Sequence, residues 1–182
     1  MSEPVKVQQN EGMAEAVASA VKMFGMVPAA DSEAEHIGGD DLPFVVTGEG
    51  VRIQLLYVDI NAGTWIARVR FEPGTTIDTH YHTGHIYAFT VTGQWFYTEY
   101  PDVMNGPGSF LFEPAHSIHT LTIPPDQKGE TDVWFVLHGT NVNIDGSGNI
   151  TSLTDGKGVL QYYRALCAEQ GVPTEKLVVK GE

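Results

Sequence analysis

The sequence predicts an all-β domain with a short helix near each end. From Pro43 onward, runs of β-branched and aromatic residues of strand length alternate with glycine and proline turns. Apolar residues recur at helical spacing within residues 11–24 and again within residues 157–171. The 182 residues and an apolar content of 42% are enough for one domain with a substantial core.

Charge and cysteine content narrow the classes of partner and compartment. The formal net charge is -13, with 23 acidic residues against 10 basic ones. Such a surface repels phosphate backbones and anionic lipids, so we expect neither a nucleic acid nor a membrane as a partner. The single cysteine, Cys167, cannot form an internal disulfide, and a reducing cytoplasm is the expected setting. We also expect no signal peptide and no membrane span.

The first predicted helix covers residues 11–24. Its apolar side chains repeat every three to four residues, at Met13, Val17, Ala20, Val21 and Phe24. An acidic stretch with a glycine pair follows at residues 30–41 and predicts a loop or linker. We therefore interpret residues 1–40 as a segment that packs on the barrel or joins two subunits.

Three strands are predicted next, followed by the turns that separate them. They are Phe44 to Val46, Val51 to Val58 and Thr64 to Phe71. The imperfect alternation in the second run is typical of a strand packed on both faces for part of its length. Glu72, Pro73 and Gly74 form the turn that leads into the most informative part of the chain. The strand-rich region is predicted to extend over residues 41–145.

Two strand-turn-strand motifs carry the histidines that point to a function. The first motif consists of Gly74, His80, His82 and Gly93, and the second consists of Gly108, Pro114 and His119. Alternate residues on a strand share a face, so His80 and His82 can hold one ion, and His119 lies near the start of another strand. Three neutral imidazoles with open positions suit Fe(II), Zn, Mn or Ni.

Both motifs resemble the two motifs of the cupin superfamily. Cupins are double-stranded β-helix, or jelly-roll, barrels that hold a metal in the mouth of the barrel, and the resemblance implies this fold over residues 40–142. Three positions depart from the family pattern. Ile86 or Tyr87 stands at the place of the motif glutamate, His116 replaces a glycine, and Ile123 replaces an asparagine. Fold does not fix chemistry, and cupins include enzymes, storage proteins and sensors.

A site of three histidines without the motif glutamate resembles the acetylacetone-cleaving dioxygenase branch, in which imidazoles alone hold Fe(II). Residues 82–101 and 108–121 are also similar to 2,4'-dihydroxyacetophenone dioxygenase and its relatives. In that group a glutamate beyond the first motif's glycine is the candidate fourth ligand, and the matching position here is Glu99. An ordinary exposed or salt-bridged carboxylate is the alternative interpretation of this residue.

Other residues are candidates for roles around the metal. His85, at the head of a strand, is a candidate acid or base, and Tyr97 is a candidate donor to a bound oxyanion. Tyr87 is the other tyrosine in this aromatic stretch, and the sequence leaves open which of the two points inward. His116 lies in a turn and is expected to face water. The aromatic stretch predicts an apolar pocket for a small ketone.

The C-terminal segment, residues 146–182, is predicted to contain a hairpin and a helix packed on the barrel. Asn141 to Asn149 is rich in glycine and asparagine and predicts the hairpin turn. The helix is predicted over Lys157 to Gly171, with Cys167 on its apolar face. A lone cysteine in such a stripe is expected in the core and not as a nucleophile.

The three-histidine site and its resemblance to these dioxygenases together imply a non-haem Fe(II) dioxygenase. It would cleave the carbon–carbon bond next to a carbonyl in a hydroxyacetophenone or β-diketone, with dioxygen as the second reactant. Two alternatives use the same ligands: a non-redox metal-dependent isomerase or hydrolase, and a metal-sensing or ligand-sensing cupin without catalysis. A homodimer is the expected assembly.

Overall fold

A computed structural model describes residues 5–7, 11–24 and 34–181 of the chain. The two described helices are α1 (Glu11–Phe24) and α2 (Gly156–Glu169). The strands, in chain order, are β1 (Val5–Val7), β2 (Ala34–His36), β3 (Val45–Gly48), β4 (Val51–Asp59), β5 (Thr64–Phe71), β6 (His80–His82), β7 (Ile86–Thr92), β8 (Phe96–Tyr97), β9 (Phe110–Glu113), β10 (Leu121–Thr122), β11 (Thr131–His138), β12 (Asn141–Ile144), β13 (Ile150–Thr154) and β14 (Val178–Lys180).

Seven of the fourteen described strands belong to one large sheet, and three others form a smaller sheet. The large sheet has the order β14-β4-β5-β11-β7-β9, with β3 also paired to β4. Its pairings are antiparallel except that of β14 with β4. The smaller sheet has the order β13-β12-β6 and therefore carries His80 and His82. Short pairs, β10 with β8 and β1 with β2, complete the described sheets.

Within the described residues, the core contains two apolar clusters. The first joins α2 to the large sheet through Leu55, Trp65 and Tyr163. The hydroxyl of Tyr163 donates to the carbonyl of Pro43 at 2.7 Å, so the buried phenol is satisfied. The second cluster surrounds Trp95, which is fully buried. Burying these large side chains stabilises the framework that holds the strands in register.

The sequence-based strands and helices agree closely with the structure. The strand Thr64–Phe71 and the helix Glu11–Phe24 have the predicted bounds. The C-terminal helix begins at Gly156, where the side chain of Asp155 accepts from the N–H of Gly158 and caps the first turn. Strands β1, β2 and β14 were not predicted, because each is only three residues long.

Gly93 shows why the first motif ends in a glycine. Its φ of +74° lies in the left-handed region, and an added Cβ would overlap the backbone and side chain of Thr131. Because glycine has no Cβ, the backbone at Gly93 can pass close to Thr131 and turn from β7 toward Trp95 and β8. None of the helices in the described part of the chain is long and apolar enough to span a lipid bilayer.

Candidate metal centre

The short strand β6 places two imidazoles on the same face. His80 and His82 are buried, with exposed fractions of 8% and 5%, while Tyr81 between them points the other way and is only partly buried. The ring centroids of the two histidines are 5.0 Å apart. Strand alternation therefore puts both imidazoles on one face, as the sequence predicted.

Backbone hydrogen bonds fix the third imidazole beside the first. The N–H of His80 donates to the carbonyl of His119 at 3.0 Å, and the N–H of His119 donates back to His80 at 3.0 Å. His119 is 1% exposed, and its ring centroid lies 4.4 Å from that of His80. One potential ligand atom from each of His80, His82 and His119 lies within 4.8 Å of the others. In the described residues this is the one group of three or more such donors.

Burial keeps the three imidazoles neutral. It lowers the pKa of His82 to about 3, with a further contribution from the neighbouring His80 and His119. It lowers the pKa of His119 to about 3 as well, and it lowers the pKa of His80. A neutral imidazole offers a lone pair, which a metal ion requires, so no proton has to be displaced at neutral pH.

A hydrogen bond sets the tautomer of His80. Its Nδ1 lies 2.7 Å from the carbonyl oxygen of Asp78, and because a carbonyl only accepts, the proton is on Nδ1. The lone pair of His80 is therefore on Nε2. This atom lies 3.0 Å from Nε2 of His119, so the two nitrogens point toward a common centre. Such outer hydrogen bonds orient the ligands in protein metal sites.

The cluster has a buried carboxylate that the sequence analysis missed. Oε1 of Glu113 lies 3.4 Å from Nδ1 of His119 and 3.7 Å from Nε2 of His82. Glu113 is 3% exposed, and burial raises the pKa of its carboxyl group to about 7. Neither Oε1 of Glu113 nor Nδ1 of His119 has a hydrogen-bond partner. A small closure would let the imidazole N–H donate to the carboxylate and leave Nε2 of His119 for a metal.

Cross-strand pairing explains the position of Glu113. It lies directly opposite Ile86, which occupies the place of the missing cupin glutamate. The carboxylate is thus displaced onto the neighbouring strand while remaining next to the histidines. The sequence did contain a signal for this glutamate. Residues alternate between the two faces along Phe110 to Glu113, so pairing of the strand puts Glu113 on the inward face.

Tyr97 is the predicted catalytic residue that does reach the cluster. Its hydroxyl donates to Oε2 of Glu113 at 2.7 Å, and its ring packs on His119 with a centroid distance of 4.2 Å. Burial and the neighbouring carboxylate raise the pKa of Tyr97 far above its usual value, so the phenol stays protonated. It therefore acts as a donor and orients Glu113.

A mostly apolar cavity of about 190 Å³ adjoins the histidines. Its walls include Val51, Val69, Phe71 and Phe135, and Asn141 contributes a polar group. Cavities with such walls are typical of sites for small organic molecules. The donor set and its neutral charge state fit a divalent metal ion, with positions left open for a ligand.

The structure does not bring Glu99 into this cluster. Glu99 is exposed, and its carboxylate oxygens accept from the N–H and from the hydroxyl of Thr120, each at 2.9 Å. The reason is local: β8 ends at Tyr97, and the chain then turns, with the N–H of Tyr100 bonded to the carbonyl of Tyr97. As a fourth ligand, Glu99 remains a prediction from resemblance.

We expect Glu99→Gln to leave metal affinity within about threefold of the unmodified chain. The amide keeps an oxygen that can accept from Thr120, and the group lies outside the donor cluster. Zinc titration of the apoprotein by calorimetry checks this. A hundredfold loss of affinity would instead make Glu99 a ligand.

Two other histidines lie outside the cavity. His85 is not among the cavity-lining residues, because Ile86 takes the inward position and the preceding residue turns outward. The ring of His85 packs on His138, with centroids 4.2 Å apart. His116 is exposed as predicted, and its φ of 65° is the left-handed conformation for which the cupin motif uses glycine. Its N–H donates to the carbonyl of His82 at 2.8 Å and ties the two motifs together.

Comparison with known protein families assigns the chain to one of them. A family model described as a ChrR Cupin-like domain matches residues 32–141, which is more than half of the chain. The chain belongs to this cupin family. No curated protein sequence matches it. The predicted cupin fold is thereby confirmed.

Solved cupin structures superpose on most of the chain. A Ralstonia eutropha protein of unknown function with a cupin-like fold is 31% identical, with a TM-score of 0.76, covering 85% of this chain and 97% of its own. An RmlC-like cupin from the same organism is 22% identical, with a TM-score of 0.72 and coverages of 86% and 98%. An acetylacetone dioxygenase from Acinetobacter johnsonii is 18% identical, with a TM-score of 0.66 and coverages of 77% and 96%. At these lower identities the last two show a shared fold.

Proposed function

We propose that the chain is a non-haem Fe(II) dioxygenase that cleaves the carbon–carbon bond next to a carbonyl in a small ketone. The observation that carries the proposal is the buried all-histidine cluster in an apolar cavity, beside a carboxylate with one unpartnered oxygen. Similarity of fold to an acetylacetone dioxygenase supports it. The substrate class is a hydroxyacetophenone or β-diketone.

His80, His82 and His119 would hold the metal through neutral imidazoles. Fe(II) held there would supply Lewis acidity toward the ketone and the redox chemistry with dioxygen. All three histidines line the apolar cavity, so a ketone bound there would lie beside the metal. Zinc, manganese and nickel fit the same donors, so the choice of iron rests on the proposed reaction.

Glu113 takes the proton that the ketone must lose. Deprotonation next to the carbonyl makes that carbon electron-rich, which the reaction with dioxygen requires. Glu113 lines the cavity, and its Oε1 keeps a lone pair for this proton even when it accepts from Nδ1 of His119. Oε2 is held by the hydroxyl of Tyr97, which fixes the direction of the carboxylate.

The apolar walls protect the deprotonated substrate from water. Val51, Phe71 and Phe135 offer no hydrogen bond, so a proton leaves or enters the cavity only at Glu113 and the few other polar groups that line it. The reaction then incorporates both atoms of dioxygen. An α-hydroxyketone gives two carboxylic acids, and a β-diketone gives an acid and a dicarbonyl.

Oxygen uptake by the iron-loaded protein tests this function. Offered small diketones and hydroxyacetophenones, it should consume one molecule of dioxygen for each ketone cleaved. Labelled dioxygen should place one labelled oxygen atom in each product. Apoprotein and zinc-loaded protein serve as controls and should consume none.

The same assay separates the alternative functions. Zinc-supported conversion of a ketone without oxygen uptake would favour a Lewis-acid isomerase or hydrolase. Tight metal or ketone binding without any conversion would favour a sensing cupin. Either result would overturn the dioxygenase assignment, and metal analysis of the purified protein shows which ion it carries.

A further inference from the structure

Two further histidines, His85 and His138, form a pair outside the metal cavity. We call them the outer pair, because their chain neighbours Ile86 and Leu137 are buried and line the cavity on the other face of the sheet. Both histidines of the outer pair are half-buried. Alternation along the paired strands therefore puts the two imidazoles side by side on the outer face of the large sheet, where an ion can reach them from solvent.

The two segments that carry the outer pair contain the same residues in opposite order. One segment reads Thr-Gly-His and ends at His85, and the other reads His-Gly-Thr and begins at His138. The N–H of His138 donates to the carbonyl of His85 at 3.2 Å. At the other end of the segments, the N–H of Thr83 donates to the carbonyl of Thr140 at 3.0 Å. Backbone hydrogen bonds therefore hold the antiparallel segments together on both sides of the glycines.

The glycine in each segment allows the two backbones to approach closely. A Cβ at Gly84 would overlap the backbone of His138, and a Cβ at Gly139 would overlap the side chain of Thr83. Gly139 also has a φ of +79°, in the left-handed region that glycine favours. The close approach therefore depends on glycine at both positions, and it fixes the separation of the imidazoles beside it.

The outer pair has free ring nitrogens. Nδ1 of His138 lies 3.1 Å from Oγ1 of Thr64, the residue opposite on β5, so this contact orients the ring and leaves Nε2 for an ion. Burial and the neighbouring His85 lower the pKa of His138, which favours the neutral form with its lone pair. In the described part of the chain, no hydrogen bond holds the ring of His85.

The spacing of the outer pair is close to that of two imidazoles in the candidate metal centre. The ring centroids of His85 and His138 lie 4.2 Å apart. Those of His80 and His119 lie 4.4 Å apart, with their Nε2 atoms separated by 3.0 Å. The rings of the outer pair are inclined by 32°. The torsion that turns an imidazole has broad energy wells, so both rings can aim a nitrogen at one ion.

We infer that His85 and His138 form a second metal site, which binds one divalent ion of the class that prefers imidazole, namely zinc, copper or nickel. Water would complete the coordination. The second ion binds more weakly than the first, because the outer pair supplies two imidazoles where the metal centre supplies three. Neither histidine of the outer pair lines the metal cavity, so this site is independent of the proposed dioxygenase activity.

Calorimetric titration of the full chain, stripped of metal, with zinc tests the second site. We expect two ions per chain, the second at least about tenfold weaker than the first, since even the loss of an outer hydrogen-bond partner costs a metal site about 10- to 100-fold. Magnesium, which prefers oxygen ligands, should not bind at the outer pair.

Single substitutions assign each ion to its site. His85→Asn and His138→Asn should each weaken the second ion at least about tenfold and leave the first unchanged. His36→Asn, the same change at an exposed histidine of β2, should bind both ions as the unmodified chain does. His119→Ala should show the reverse pattern, with the tight ion lost and the weaker one retained.

Imidazole NMR of the unmodified chain locates the second ion without any substitution. The first equivalent of zinc should shift the ring resonances of the three histidines of the metal centre. The second equivalent should shift those of His85 and His138 and leave those of His36 and His116 in place.

Three results would overturn the second site. They are a chain that binds only one zinc ion, a second ion of unchanged affinity in both His85→Asn and His138→Asn, and second-equivalent shifts at other histidines only. Zinc binding involves no redox chemistry, so these results are separate from the oxygen-uptake assay. A chain that binds two zinc ions as expected but consumes no dioxygen with iron would retain the second site and lose the dioxygenase assignment.

Discussion

His119→Ala is expected to reduce metal affinity by more than about 100-fold. Loss of an outer hydrogen-bond partner alone costs about 10- to 100-fold in protein metal sites, and this change removes a ligand. Two imidazoles remain on β6, but the ion loses the donor that belongs to the second motif. Metal content after dialysis against stoichiometric iron or zinc measures the effect.

The matched control for His119→Ala is His116→Asn, three residues earlier in the same turn. His116 is exposed and lies outside the donor group, and asparagine tolerates its left-handed backbone. We expect this variant to bind metal as the unmodified chain does. Near-stoichiometric metal in a folded His119→Ala protein would contradict the three-histidine site.

Glu113→Gln is expected to lower turnover by about 100-fold or more while metal stays bound. The amide preserves shape and can accept from the Tyr97 hydroxyl, but it cannot take a proton from a substrate. Removal of a group next to two ligands weakens metal affinity by at most about 100-fold, so excess metal restores loading. Initial rates are therefore compared at equal metal content.

Glu99→Gln is the control with the same chemical change at an exposed carboxylate. It should retain activity close to that of the unmodified enzyme. If Glu113→Gln retained its rate at full metal content, the buried carboxylate would not be the base. If the Glu113→Gln protein stayed metal-free in excess iron, Glu113 would be a metal ligand.

Local pattern was sufficient to predict that His80 and His82 share one face. His80 and His82 are separated by one residue on a strand, and the glycines and prolines that frame them fix the turns. His119 is far from both in the chain, and its approach depends on a backbone bridge that only pairing reveals. The resemblance to the cupin motifs indicated that His119 lies close to His80 and His82, which residue spacing alone does not show.

The carboxylate beside the histidines was harder to predict, because the direction of a side chain after a turn depends on strand register. Glu99 follows the end of β8, where alternation no longer holds, and its oxygens bind Thr120. Glu113 closes a strand whose inward face is defined only by its partner β7. Assigning either residue from sequence requires the strand pairing, and pairing is a property of the whole sheet.

Backbone hydrogen bonds join His80 to His119 and His116 to His82, and so connect the two histidine motifs. These bonds involve no metal, so folding itself brings the nitrogen donors together and we expect the site to form before an ion binds. Affinity among the first-row metals then follows the intrinsic order of those ions for imidazole. We therefore expect the identity of a bound ion to depend on the metals supplied to the protein more than on selection within the site.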